Sequence, residues 1–291
     1  MRLDRRLRAL RPELSWARIR QAIQRGQVFV DGRVERDPGA SVAAASAIDL
    51  DASRRALPHA RLDLARLYED DEVLIVDKPA GLLTVPTNAE ANGAEDTVLQ
   101  RVQEYARHLH GRRGYAGVLH RLDRETSGAL AVALSRESHR RGRELFARHE
   151  FRRWYLALVD GVPRRSRGTI RAHISDMYVN GRRRLVRNEQ EGRHAVTHYR
   201  VRQAFGAAAL LELRLETGRQ HQIRLHLQSL GHPLLGEKVY AERESQISAK
   251  RQMLHAWRLE FPHPLHRYLV AAEAPMPADM ESLRLKLSRR S

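Results

Sequence analysis

Apolar positions recur along this chain in a few distinct rhythms, and each rhythm predicts a different element. Leu3, Leu7, Leu10 and Leu14 follow helical spacing, with Arg2, Arg5, Arg6 and Arg8 turned mostly elsewhere. After Pro12, Ser15 is placed to cap a second helix whose stripe is Ile19, Ala22 and Ile23; Arg18, Arg20 and Arg25 are left to solvent, and Gly26 closes the helix. Residues 28–34 then read as a tight hairpin turning on Asp31-Gly32.

Further along, the runs 73–76 and 129–134 are compact and apolar, as buried strands are. The first is stopped by Asp77-Lys78-Pro79-Ala80-Gly81, where the chain must turn. A second strand is expected at 82–85, ending at Pro86, and 90–96 reads as loop. Helical spacing returns at 97–108 and, with many charges, at about 137–148. Further strands are expected at 154–159, 169–174, 197–202, 210–215 and 254–259, several alternating with period two. Many strands and few helices predict an α+β fold: a mixed, mainly antiparallel sheet with flanking helices, behind a small α/β N-terminal module. Residues 51–64 are polar and carry Pro58, so they read as a linker. The divisions are then 1–52 for the module, 53–64 for the linker and 65–291 for the main domain.

Charge narrows the partners. The chain has 52 Lys and Arg against 35 Asp and Glu, a net +17, and its lysines are only Lys78, Lys238, Lys250 and Lys286. Such a chain seeks polyanions. Arginine forks onto phosphate and stacks on bases, which suits structured nucleic acid better than a membrane surface. There is no cysteine, so disulfides and thiolate metal sites are excluded. No apolar run approaches the roughly 18 residues of a membrane span. The expectation is a cytoplasmic protein.

The densest chemistry is His120-Arg121-Leu122-Asp123-Arg124-Glu125-Thr126-Ser127-Gly128. One aspartate stands among three cationic or basic side chains, and nearby positive charge favours its ionised form. Asp123 is thereby prepared to act as nucleophile or base. Thr126, Ser127 and Gly128 are turn-forming residues that fix the loop.

Two resemblances follow. Arg2-Leu3-Asp4, the serine-led helix 15–25 and the stretch from Gly26 to Gly32 resemble the small RNA-binding module first known from ribosomal small-subunit protein four. That module usually closes on a Gly-Asp-containing strand, whereas 43–50 stands there in this chain. From about residue 67 to 283, the chain resembles an RluA-type pseudouridine synthase. The matching pieces are Tyr68-Glu69-Asp70-Asp71, Asp77 to Gly81, His120 to Gly128, the segment at Tyr155, Thr217 to His226, Gly231-His232-Pro233, Gly236 to Tyr240 and Leu254 to Trp257.

The second resemblance implies isomerisation of uridine to pseudouridine in structured RNA, with ribosomal RNA preferred over transfer RNA. It implies Asp123 as catalytic aspartate, Tyr155 packing on the target base and Arg224, ahead of Arg219, pairing with the aspartate. Arg121 would fill the space left by a flipped base while His120 shapes the loop. Arg124, Arg219 and His221 join the expected RNA contacts, with Arg182, Arg183 and Arg184 as a phosphate clamp and Arg18 and Arg25 in the front module. Where the family often carries lysine two positions before the tyrosine, this chain has Arg153.

The reaction breaks a carbon–nitrogen bond and forms a carbon–carbon bond without redox change or hydrolysis, so no metal or cofactor is expected. The five-residue interval from His221 to His226 also misses the spacing that puts two ligands on one helix face. The protein is expected to act as a monomer.

Rival readings fit less well. A kinase would need H-R-D without the intervening Leu122, together with a glycine-rich nucleotide loop. A glycosidase needs a second, suitably separated carboxylate. A non-catalytic RNA-binding protein has no use for the set Asp123, Tyr155 and Arg224.

Overall fold

The computed structural model describes residues 1–24, 26–35, 37–51, 62–87, 96–110, 113–179, 182–243 and 245–289. Arg25, most of the expected linker and most of the expected 90–96 loop lie outside them.

The front module packs α1 (Leu3–Leu10) and α2 (Trp16–Gln24) beside a three-stranded sheet of β1 (Val28–Val30), β2 (Arg33–Val34) and β3 (Ile48–Leu50) in the order β2-β1-β3. Ser15 Oγ accepts from Arg18 N at 3.3 Å, capping α2 as its position predicts. Asp31 and Gly32 have φ of 51° and 76°, the mirror-image turn that suits the twist of a two-residue hairpin. Leu3, Leu7, Ile19, Ile23 and Val28 form the core.

Two expectations fail here. Leu10 is 54% exposed, because α1 stops there, ahead of Pro12, although Leu14 beyond the helix still packs, partly buried, against the module core. The closing strand is only Ile48–Leu50; the carbonyls of Ala43, Ala44 and Ser46 are taken by the Arg6 guanidinium instead of a strand ladder.

The larger sheet runs β10-β9-β11-β12-β8-β13-β7-β5-β4, with β14 on β13 and β6 on β7. Its strands are β4 (Ala65–Glu69), β5 (Val73–Lys78), β6 (Gly117–Val118), β7 (Ser127–Ala133), β8 (Arg152–Asp160), β9 (Arg167–Ser175), β10 (Leu185–Val186), β11 (Gly192–Ala204), β12 (Ala208–Leu215), β13 (Leu254–Pro262) and β14 (Leu269–Glu273). All named pairings are antiparallel except β13 with β7. The helices are α3 (Val98–His110), α4 (Arg136–Ala147), α5 (Gln222–Ser229) and α6 (Ala278–Ser288).

The unbroken apolar runs have a direct cause. In β7, Leu130 and Val132 enter one core while Ala129, Ala131 and Ala133 enter another, so every residue of the strand is buried. A sheet covered on both faces has no polar side to alternate with. Helix α3 packs Val98, Val102, Tyr105 and Leu109 into the first core, and Leu145 of α4 joins the second. Ser135 caps α4 through a reciprocal pair of bonds with Ser138.

Residues 82–85 do not form the expected strand. Leu83 makes one isolated bridge to Thr97, and Thr84 turns its hydroxyl to the loop at Asp123. No helix among the described residues is long and apolar enough to cross a membrane.

Candidate active site

The loop carrying Asp123 is fastened at nearly every residue. His120 is 6% exposed, and its Nε2 accepts from Ala131 N at 3.1 Å, while its ring stacks on Phe146. Burial, with Arg153 nearby, holds this imidazole down to about 3, so it is a neutral acceptor. His120, expected to shape the loop and named with the RNA contacts, lines the cavity beside Asp123 and bonds the strand beneath the loop. Thr84 Oγ1 donates to Leu122 O at 2.8 Å and accepts from Leu122 N at 3.1 Å. Lys78 Nζ, fully buried, donates to the carbonyls of Pro79, Leu82 and Arg124. Arg251 Nη1 holds Glu125 O at 3.0 Å, and Gln252 Nε2 holds Thr126 Oγ1 at 3.1 Å.

Gly128 ends the loop at φ 115°, and a Cβ there would meet Ala256 O at 2.2 Å. Glycine is thus required where β7 runs beside β13.

Opposite the loop, Thr217 to Arg224 folds around one amide. Gln222 Oε1 accepts from Thr217 Oγ1 and Arg219 N, and its Nε2 donates to Val196 O and Thr197 Oγ1. All four hydrogen-bonding positions of a buried side chain are used, which fixes the start of α5. His221 precedes that helix in a left-handed conformation, φ 59°, with Nδ1 2.6 Å from Tyr240 Oη and Nε2 3.9 Å from Asp123 Oδ1.

Three residues on, Arg224 Nη1 lies 3.5 Å from Asp123 Oδ2, while its Nε and Nη2 each bond Glu237 at 2.7 Å. Burial alone would raise the Glu237 carboxyl, but the forked bonds from Arg224 outweigh it and hold it low. Arg219 lines the same cavity and donates to His194 O at 3.2 Å.

Between these walls lies a cavity of about 350 Å³ lined by Asp123, Tyr155, Arg224, Phe146, Ile223 and Leu254, among others. Tyr155 is 6% exposed, and burial raises its phenol, so the ring is neutral and largely apolar. Arg153 lines the same cavity with its Nε buried and unpartnered and its guanidinium 4.8 Å from the Phe146 ring centre. A Cβ on Gly218 would meet Arg153 Nη1 at 2.4 Å, so that glycine leaves room for it.

Among the cationic candidates, Arg121 and Arg124 are exposed at the rim, and Arg18 is exposed on α2. Arg182 and Arg184 are exposed as well. Arg183, expected in the same phosphate clamp, sits differently from its two neighbours. It donates to Ser175 O at 2.7 Å, reaches Gln220 Oε1 at 3.4 Å and stacks 4.8 Å from the Tyr178 ring, leaving its side chain 16% exposed.

Sequence reasoning quoted Glu237 and Tyr240 without a role and passed over Thr84 and Gln222 as loop-bracing residues. Glu237 had a signal, an acid in a Gly-Glu-Lys turn downstream of Arg224. Thr84 had none.

Residues 72–229 match the family described as RNA pseudouridylate synthase, and residues 1–45 match the S4 domain. The chain is 36% identical over 297 residues to ribosomal large subunit pseudouridine synthase D of Zymomonas mobilis, covering 97% of this chain and 92% of that protein. It is also 36% identical to the protein of the same name from Nitrosomonas europaea, covering 97% and 83%. A solved structure of human RNA pseudouridylate synthase domain containing 4 superposes with a TM-score of 0.64 at 24% identity, over 77% of this chain and 93% of that one.

Proposed function

The chain belongs to the RNA pseudouridylate synthase family, and from that premise we propose that it converts specific uridines of large-subunit ribosomal RNA to pseudouridine. The observation that carries this reading is the Asp123–Arg224 pair at the wall of a cavity that offers Tyr155, Phe146, Ile223 and Leu254 beside the basic Arg143, Arg153 and Arg219.

The chemistry requires three things. The N1–C1′ bond of uridine must break, the freed uracil must turn, and C5 must join C1′. N1 gains a proton and C5 loses one, so atoms and electrons balance without an outside reagent. Asp123 supplies the anionic oxygen that engages the nucleoside. Arg224, itself locked on Glu237, keeps that oxygen in place. Tyr155 and its apolar neighbours give the detached ring a flat, water-poor bed in which to turn.

A base in folded RNA has first to leave its stack, at a cost of a few kcal/mol that contacts in the pocket offset. Arg121, exposed beside Asp123, is suited to occupy the gap it leaves. The front module, with Arg18 exposed, adds affinity for structured RNA.

Ribosomal RNA is favoured over transfer RNA because several relatives that align over nearly the whole chain, front module included, bear large-subunit names. Mapping pseudouridines in cellular RNA with and without the gene tests activity and target together. Loss of one or more large-subunit positions is expected; no lost position in any RNA would leave a binding protein only.

A further inference from the structure

Asp123 does not line one cavity but two. A second space, of about 470 Å³, adjoins the first and shares Asp123, Arg121, His221 and Arg224 with it. The two differ in character. The first carries Phe146, Tyr155, Ile223 and Leu254 beside Arg143, Arg153 and Arg219, whereas the second lacks those aromatic rings and adds Arg124, Lys238 and Lys250 beside Glu125 and Glu237.

Arg121, Arg124, Lys238 and Lys250 are all exposed and make no ion pair among the described residues. Of the acids on this lining, Asp123 lies 3.5 Å from Arg224. Glu237 is held by Arg224, and Glu125 acts on buried Lys78. The chain has four lysines in all, and two of them meet here from separate segments.

This mouth is built rather than incidental. Gly236 has φ 77°, and a Cβ on it would meet Arg251 O at 2.0 Å, so the turn bearing Lys238 lies directly on the segment bearing Lys250. That segment is in turn anchored by Arg251, 7% exposed, which bonds Asp279 through two nitrogens and the carbonyls of Glu125, Gln252 and Leu254 through the third. Two cations on a braced rim, facing two more on the catalytic loop, form a site for closely spaced negative charge.

We propose that this second cavity binds the RNA backbone next to the target uridine, with Lys238 and Lys250 on its phosphates, while the first cavity receives the flipped base. The inference rests on the RNA-modifying function proposed above. It adds that the strand passes over Asp123 from one cavity to the other, so the enzyme holds a flanking nucleotide as well as the base. Repulsion among the four cations is relieved when phosphate enters.

The test uses the full-length protein and a large-subunit ribosomal RNA transcript, with affinity titrated against salt. Lys238→Gln/Lys250→Gln is expected to make the slope of log affinity on log salt shallower by about 1.4, two contacts at about 0.7 each, or about a seven-fold smaller loss of affinity between about 50 and about 200 mM salt. Lys238→Arg/Lys250→Arg should keep the wild-type slope. The control Lys286→Gln/Arg289→Gln removes equal charge on and just beyond α6 and is expected to leave the slope unchanged.

An unchanged slope in the first variant, or an equal fall in the control, overturns the proposal. Pseudouridine mapping on the same transcript separates the two readings. A wild-type protein that isomerises no uridine counts against the proposed function, whereas an active wild type with an unchanged slope in the lysine variant counts against the second cavity alone.

Discussion

Arg224 offers one nitrogen to Asp123 at 3.5 Å and the rest of its fork to Glu237 at 2.7 Å. The guanidinium is thus oriented by the buried Glu237 before it meets Asp123, the proposed catalytic acid.

Asp123→Asn removes the anionic oxygen while keeping size and hydrogen-bonding capacity. Isomerisation should fall below detection, with RNA affinity and the unfolding midpoint close to wild type. Turnover near wild type would end the assignment of Asp123.

Glu237 has a side chain 1% exposed and Arg224 one that is 9% exposed. Removing one partner strands the other, so Glu237→Gln should cost about 3 kcal/mol in urea unfolding and lower kcat as well. Arg224→Met/Glu237→Met should be less destabilised than the sum of the single losses, which a double-mutant cycle would measure. Strict additivity would show that the pair is not coupled.

Thr84 braces the Asp123 loop through both backbone groups of Leu122. Thr84→Val keeps the shape but leaves Leu122 N and O without partners, at about 1–3 kcal/mol each if they stay buried. The expected result is a reduced kcat with the sheet still folded by circular dichroism, and recovery in Thr84→Ser. Full activity in the valine variant would remove Thr84 from the site.

Burial lowers His120 to about 3 and His226 and His255 to about 4. Each binds a proton more weakly folded than unfolded, so the stabilisation is complete above the unfolded value of about 6.5 and is lost as pH falls from there through about 4. Urea midpoints should fall over that range. His255→Gln should remove up to about 1.4 kcal/mol per pH unit from the slope. A midpoint independent of pH between about 6.5 and about 4.5 would contradict the buried neutral histidines.

Arg182 and Arg184 are exposed where Arg183 is tied inward. Arg182→Gln/Arg184→Gln should make the salt slope of RNA binding shallower by about 1.4. Arg183→Gln should instead lower the unfolding midpoint. The reverse pattern would restore Arg183 as the RNA contact.

Much of this was legible along the chain because it is local. The Asp31-Gly32 turn, the Ser15 cap and the runs at 73–76 and 129–134 depend on residues adjacent in sequence, and the structure has them. The cluster around Asp123 was visible for the same reason, since charge density within nine residues needs no fold to be read.

What only the tertiary structure decided is who meets whom. Asp123 and Arg224 stand 101 residues apart in the chain, and their contact exists because β7 and α5 deliver them to one cavity. Whether 82–85 is a strand or a brace, and whether Arg183 faces water or Ser175, turned on partners distant in sequence, to which periodicity is blind. Side-chain pattern records which faces are apolar, but pairing across the fold is settled by the free energy of packing all those faces at once.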